Sequence, residues 1–235
     1  MDQERYVTLL ETELPARTKP FPRTTADPHL FRLDGTGEIA SNDELRFYKP
    51  MVQKLAFIAQ RTRSDILCPT SFLATWVKGP TKQHLNALHH LMRYVFGTRK
   101  RGLKFSPQAE LKLVAYIDAA LSTHYDGRSQ SGMVMGLGED LLSMVVSTSS
   151  KIKLVSDSST EAEVNAVHEY IEQVLWADNL FKEMTAGRTV GEAETVTILD
   201  AQTMMHILLK PLDLRNPLMK SILTSTKKPR VAYML

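Results

Sequence analysis

The sequence predicts a mixed α/β protein, with strands gathered into one mixed sheet, helices packed on it and a small helical subdomain in front. Three observations carry this. From about Thr160 to Met184, Val167, Tyr170, Ile171, Val174, Leu180, Phe181 and Met184 recur at three- and four-residue spacing, as in a helix with one face on a core. Before that helix, short apolar runs separated by turn-rich gaps suggest an antiparallel meander. After it come another short strand pattern and a brief helix, so strands lead into helix, strand and helix.

At 235 residues and 43% apolar content the chain fits one large domain, or one domain with an attached subdomain, around a real core. No run of eighteen apolar residues occurs, and Met1-Asp2-Gln3-Glu4 does not open a signal peptide. An intracellular protein, cytoplasmic or nuclear, without a membrane partner is expected. Cys68 is the only cysteine, which excludes an internal disulfide and a cysteine-built zinc site and leaves Cys68 as a buried apolar residue. The net charge of +3 hides an asymmetry: residues 45–105 carry twelve basic side chains and one acidic, residues 1–44 five and nine, and residues 106–235 twelve and sixteen. A one-signed block reads as an electrostatic footprint for a polyanion, with plain solubility as the alternative.

In chain order, residues 1–44 contain Pro15, Pro20, Pro22, Pro28 and Asp34-Gly35-Thr36-Gly37 and read as an extended or disordered lead-in. Residues 45–105 read as a basic helical subdomain of three short helices. The first is lined by Leu45, Val52, Leu55, Ala56 and Ile58, the second by Ile66, Phe72, Leu73 and Trp76. The third opens at Thr81-Lys82-Gln83-His84, carries Leu85, Leu88, Leu91, Met92 and Val95 on one face, and stops at Gly97. Residues 106–211 hold the sheet. Its expected strands are Leu111–Asp118, Met133–Leu137, Leu142–Ser147 and Thr195–Asp200, with a last helix Ala201–Leu209 ended by Pro211. Residues 212–235 read as a diverged or truncated C-terminal segment.

Three carboxylates fall at comparable places: Asp118 and Asp200 at strand ends, and Glu163 in the first turn of the long helix. Such ends share one rim of a mixed sheet, and acids converging there would repel unless they held a cation such as Mg²⁺. The bland alternative for Glu163 is a capping box with Thr160. Glu161 and Glu163 are two apart and cannot share a helix face. His89-His90 and His124 read as surface or partly buried residues, and Met133, Met135, Met144, Met204 and Met205 as core filler.

The run Lys151-Ile152-Lys153-Leu154-Val155-Ser156-Asp157-Ser158-Ser159-Thr160-Glu161-Ala162-Glu163 resembles the ribonuclease H domain of copia-type LTR retrotransposon polyproteins. So do Leu113 to Ala119, Asp126 to Gly132 and Asp200-Ala201-Gln202. Upstream, Thr62 to Ile66, Pro80 to His84 and Leu91 to Thr98 are similar to the helical connection that follows the polymerase in those polyproteins. The resemblance implies a ribonuclease H-like fold in which Asp118, Glu163 and Asp200 are the catalytic, metal-holding acids. Mg²⁺ or Mn²⁺ would be the cofactor and the RNA strand of an RNA–DNA hybrid the substrate, with Glu161 a surface or capping residue. Lys82, Arg93, Arg99, Lys100, Arg101, Lys104 and Arg128 would meet that hybrid or another nucleic acid, and the polymerase part of a polyprotein would be a further partner. The chain departs from the pattern where Ala120 and Leu121 replace a second aspartate and a tryptophan, where Ala201 replaces an asparagine, and where only Asp213 is offered as a fourth acid. With no Asp-Asp dipeptide it is not a polymerase on its own. A weakened ribonuclease H-type hydrolase is expected, and the alternative is an inactive relic that binds nucleic acid.

Overall fold

The computed structural model describes residues 2–13, 20–106, 112–138 and 143–185, together with the backbone of 197–199. The elements are α1 (Glu4–Glu11), α2 (Asn42–Arg61), α3 (Leu67–Ala74), α4 (Lys82–Gly97), β1 (Leu113–Ala120), β2 (Arg128–Leu137), β3 (Ser143–Val155), α5 (Ser159–Thr185) and β4 (Thr197–Leu199).

The two long helices of the helical part, α2 and α4, form because each has a start signal and an apolar face. Ser41 caps α2: its Oγ accepts the Glu44 N–H at 3.3 Å, and the Glu44 carboxylate accepts the Ser41 N–H at 2.8 Å. In α4 the ring of His84 takes the place of such a carboxylate, its Nδ1 accepting the Thr81 N–H at 3.1 Å. Tyr48, Val52, Leu55, Ile58, Phe72, Leu88, Leu91, Met92 and Val95 meet in one core. The extended reading of residues 1–44 misses an element, because residues 4–11 are helical and bury Val7 and Leu10 in this core, joined by Leu30. Two turns of helix offer too few apolar repeats to stand out beside a proline-rich stretch.

That lead-in also answers the charge asymmetry. Glu13 binds Lys54 at 2.6 Å, Glu11 binds Arg99 at 3.0 Å, and Glu44 binds Lys82 at 2.7 Å. The negative segment therefore lies on the basic block and neutralises part of it. Arg63, 2% exposed, fixes the exit of α4: it grips both carboxylate oxygens of Asp65 at 2.9 Å and the carbonyl and hydroxyl of Thr98 at 3.0 and 2.7 Å.

The sheet has the order β3-β2-β1-β4. β1 to β3 form the expected antiparallel meander, with Asp118 opposite Gly132 and Ser131 opposite Ser150. β4 lies parallel to β1, Leu199 beside Tyr116. Both later strands of the meander outrun their apolar runs: β2 begins at Arg128 and β3 continues to Val155. Serine-rich segments hid those ends, because cross-strand serines pair through hydroxyl bonds without apolar alternation. Leu113, Ala115 and Ile117 of β1 and Met133 and Met135 of β2 pack on Ala166, Val167, Tyr170 and Val174 of α5. The helix buries the seam Val167, Tyr170, Val174, Ala177 and Phe181, so Leu180 and Met184 fall off it and are 39% and 68% exposed.

The β1–β2 turn joins the two parts. Its buried His124 stands 5.2 Å from the ring of Phe31 and 5.7 Å from that of Phe72, with Nε2 on the Gln130 amide oxygen at 2.8 Å. Burial lowers its pKa. His89 and His90 are partly buried as expected, His90 Nε2 lying 2.9 Å from the Thr24 carbonyl. Cys68 is half-buried rather than fully buried, and burial pushes its thiol pKa up against a hydrogen bond with Ser149.

Candidate metal site and nucleic-acid surface

Because β2 runs against both of its neighbours and β4 runs with β1, the C-terminal ends of β1, β3 and β4 share one rim. α5 starts there, shortly after Val155. Asp118 stands at this rim with an exposed side chain, and its Oδ1 accepts the Ala119 N–H at 2.8 Å.

Glu163 is the fifth residue of α5, set between the buried Ala162 and Val164. Its Oε2 is buried and has no hydrogen-bond partner among the described residues. A carboxylate oxygen removed from water without a donor or cation is costly, so such an atom points to a ligand. The capping reading of Glu163 with Thr160 is overturned. Ser158 Oγ accepts the Glu161 N–H at 3.2 Å, and Glu161 Oε2 accepts the Asp157 N–H at 3.0 Å. The helix begins two residues before the position a Thr160 cap would need, so Glu161 is the capping acid and Glu163 is left for another role.

Asp118 and Glu163 offer hard oxygen donors of the type that suits Mg²⁺ or Mn²⁺. Among the described residues they have no third acidic, histidine or cysteine partner near enough to complete a metal-holding group. Asp200, the third expected acid, directly follows Leu199 of β4 in the sequence but lies outside the described residues, as do Ala201 and Asp213. Ala120 and Leu121 are exposed and add no donor.

The expected nucleic-acid residues divide by what already holds them. Lys82 is bound to Glu44, whose carboxyl is held down to about 2, first by the Lys82 hydrogen bond and then by the Ser41 N–H. Arg99 is bound to Glu11. Arg93 donates to the carbonyls of His89 and Pro20, both at 3.3 Å. Arg101 donates to the Tyr94 hydroxyl at 2.6 Å yet is 62% exposed, and Lys100 and Lys104 are exposed as well. Arg128 shares Asp126 with Lys151, which bonds that carboxylate at 2.7 Å. Sequence reasoning missed a polar cluster beside the rim, in which Ser131 and Ser150 bind Glu169 and Tyr170. Tyr170 had registered only as an apolar repeat, and its hydroxyl was the available signal.

An acidic rim on a mixed sheet stands beside a basic helical part, and comparison with known proteins shows what the chain is related to. The chain is 32% identical over 191 residues to the retrovirus-related Pol polyprotein from transposon RE1 of Arabidopsis thaliana, across 78% of this chain and 12% of that polyprotein. It is 30% identical over 168 residues to the putative transposon Ty5-1 protein of Saccharomyces cerevisiae, across 71% of this chain and 49% of that one. It is also 30% identical over 130 residues to secreted RxLR effector protein 161 of Plasmopara viticola, across 55% of this chain and 89% of the effector. Its homologues include retrovirus-related Pol polyproteins of copia-type transposons. It spans only 12% of the length of the RE1 and RE2 polyproteins. No family model matches it. No solved structure matches it either. Among the described residues no helix is long and apolar enough to cross a membrane.

Proposed function

We propose that the sheet and α5 form a ribonuclease H-like domain that hydrolyses the RNA strand of RNA–DNA hybrids with Mg²⁺ or Mn²⁺, and that the helical part holds the hybrid. The observation that carries this reading is the buried, unpartnered Oε2 of Glu163 at the rim that also holds Asp118. Homology supports it, since retroelement Pol proteins are what this chain is related to. A bound divalent cation would supply an activated water and stabilise the leaving oxygen. Asp118 and Glu163 would hold it, with Asp200 as the proposed third ligand. Glu161 only fixes the start of α5 and with it the height of Glu163. The polymerase part of a longer polyprotein is the proposed partner of the helical part.

Activity is expected to be weak, because Ala120 provides no second acid at the rim. A loss of about 3–4 kcal/mol of transition-state stabilisation would slow turnover by several hundredfold. The same exposed Ala120 and Leu121 favour a second reading, an inactive relic that still binds nucleic acid. Cleavage of a labelled RNA–DNA hybrid with and without Mn²⁺ separates the two. Slow, cation-dependent cleavage that vanishes in Asp118→Asn supports the first, and salt-sensitive binding without any cleavage supports the second.

A further inference from the structure

Glu163 reaches the rim without any hydrogen bond to its Oε2, so its position is set by where α5 lies on the sheet. One polar cluster ties that helix to the strands. Ser131 Oγ lies 2.9 Å from Glu169 Oε2 and 2.8 Å from the Tyr170 hydroxyl, while Ser150 Oγ lies 2.7 Å from Glu169 Oε1 and 3.0 Å from the same hydroxyl. The two serines are themselves cross-strand partners, one on β2 and one on β3. Three hydroxyl protons and one carboxylate close the network. Each serine donates to one oxygen of Glu169, and the tyrosine donates to a serine.

The location of the cluster gives it a consequence for the rim. Tyr170 is seven residues after Glu163 and so lies on the same face of α5, about 10 Å further along the helix. Ser131 is the chain neighbour of Gly132, the residue opposite Asp118. The apolar seam beneath α5 is non-directional and tolerates small slides of the helix, whereas three hydrogen bonds with fixed geometry do not.

We propose that Ser131, Ser150, Glu169 and Tyr170 are positioning residues for the metal site, a clamp that locks α5 in the register bringing Glu163 to Asp118. This inference rests on the reading of that rim as a divalent-cation site. The test uses Ser131→Ala and Tyr170→Phe, which remove clamp hydrogen bonds without altering charge, the second keeping the ring that packs in the core. Mn²⁺ affinity of the whole 235-residue chain is measured by calorimetric titration, and kcat and KM are measured on a hybrid. Each variant is expected to bind Mn²⁺ about tenfold more weakly, at the low end of what loss of a ligand's supporting structure costs, with kcat lowered and the hybrid KM unchanged. Ser147→Ala, on β3 but outside the clamp, is expected to match the wild type. Wild-type Mn²⁺ affinity in both clamp variants would overturn the clamp and leave the metal site standing. Absence of Mn²⁺ binding by the wild type would overturn the metal site and the clamp with it.

Discussion

At the scale of single residues, side chains whose burial is at odds with their chemistry carry the account. Glu163 is one, and Glu163→Gln is expected to abolish hybrid cleavage while leaving the denaturation midpoint unchanged or raised, because it removes a charge with no partner at Oε2. Parallel activity assays and chemical denaturation check both halves. His84 is another: it is fully buried, Nδ1 accepts from Thr81, and burial, opposed weakly by Asp34, holds its pKa down to about 4. Its folded pKa is below the unfolded value near 6.5, so the stability it confers is complete above pH 6.5. It is lost as pH falls through 4. Thermal midpoints across that window should fall toward acid, and His84→Gln should flatten the fall. Neither residue was fully legible in the sequence. Glu163 was found by resemblance, but its freedom from capping depended on where α5 starts. His84 was visible only as part of a helix opening, since a histidine standing in for a capping acid has no common sequence signature.

At the scale of elements, the sequence was most informative where one face packs continuously and least where polar residues do the pairing. The long helix, the three helices of the basic part and the meander all follow from apolar period, but α1 and the serine-rich ends of β2 and β3 do not. Polar pairing also explains the misplaced cap. Ser158, Ser159 and Thr160 are all capping types, and only the backbone decides among them. Ser158→Ala is therefore expected to cost about 1 kcal/mol in unfolding free energy and Thr160→Ala much less, which urea denaturation of the two variants would show. Gly35 belongs to this scale as well. It has φ of +80°, and a Cβ there would stand 2.6 Å from the Trp76 ring. Gly35→Ala should destabilise the loop that leads into α2 by about 1–2 kcal/mol, from the left-handed backbone and the overlap together.

At the scale of the whole molecule, the two halves are joined at the β1–β2 turn, where the His124 ring packs against the touching rings of Phe31 and Phe72. The basic block is partly neutralised by the lead-in, so fewer cations face solvent than the sequence tally implies. With Lys82, Arg99, Arg101 and Arg128 paired with carboxylates, about two phosphate contacts, from Lys100 and Lys104, would give a log–log salt slope near −2 for hybrid binding. A flat slope would reduce the block to solubility. The central claim is that the rim of β1 and α5 holds a divalent cation through Asp118 and Glu163 for hydrolysis of a hybrid. The most direct measurement is cleavage of a labelled RNA–DNA hybrid in Mn²⁺ by the wild type, Glu163→Gln and Glu161→Gln. Slow cleavage that disappears in Glu163→Gln and survives in Glu161→Gln is the predicted result; cleavage that survives in Glu163→Gln, or is lost only in Glu161→Gln, would contradict it.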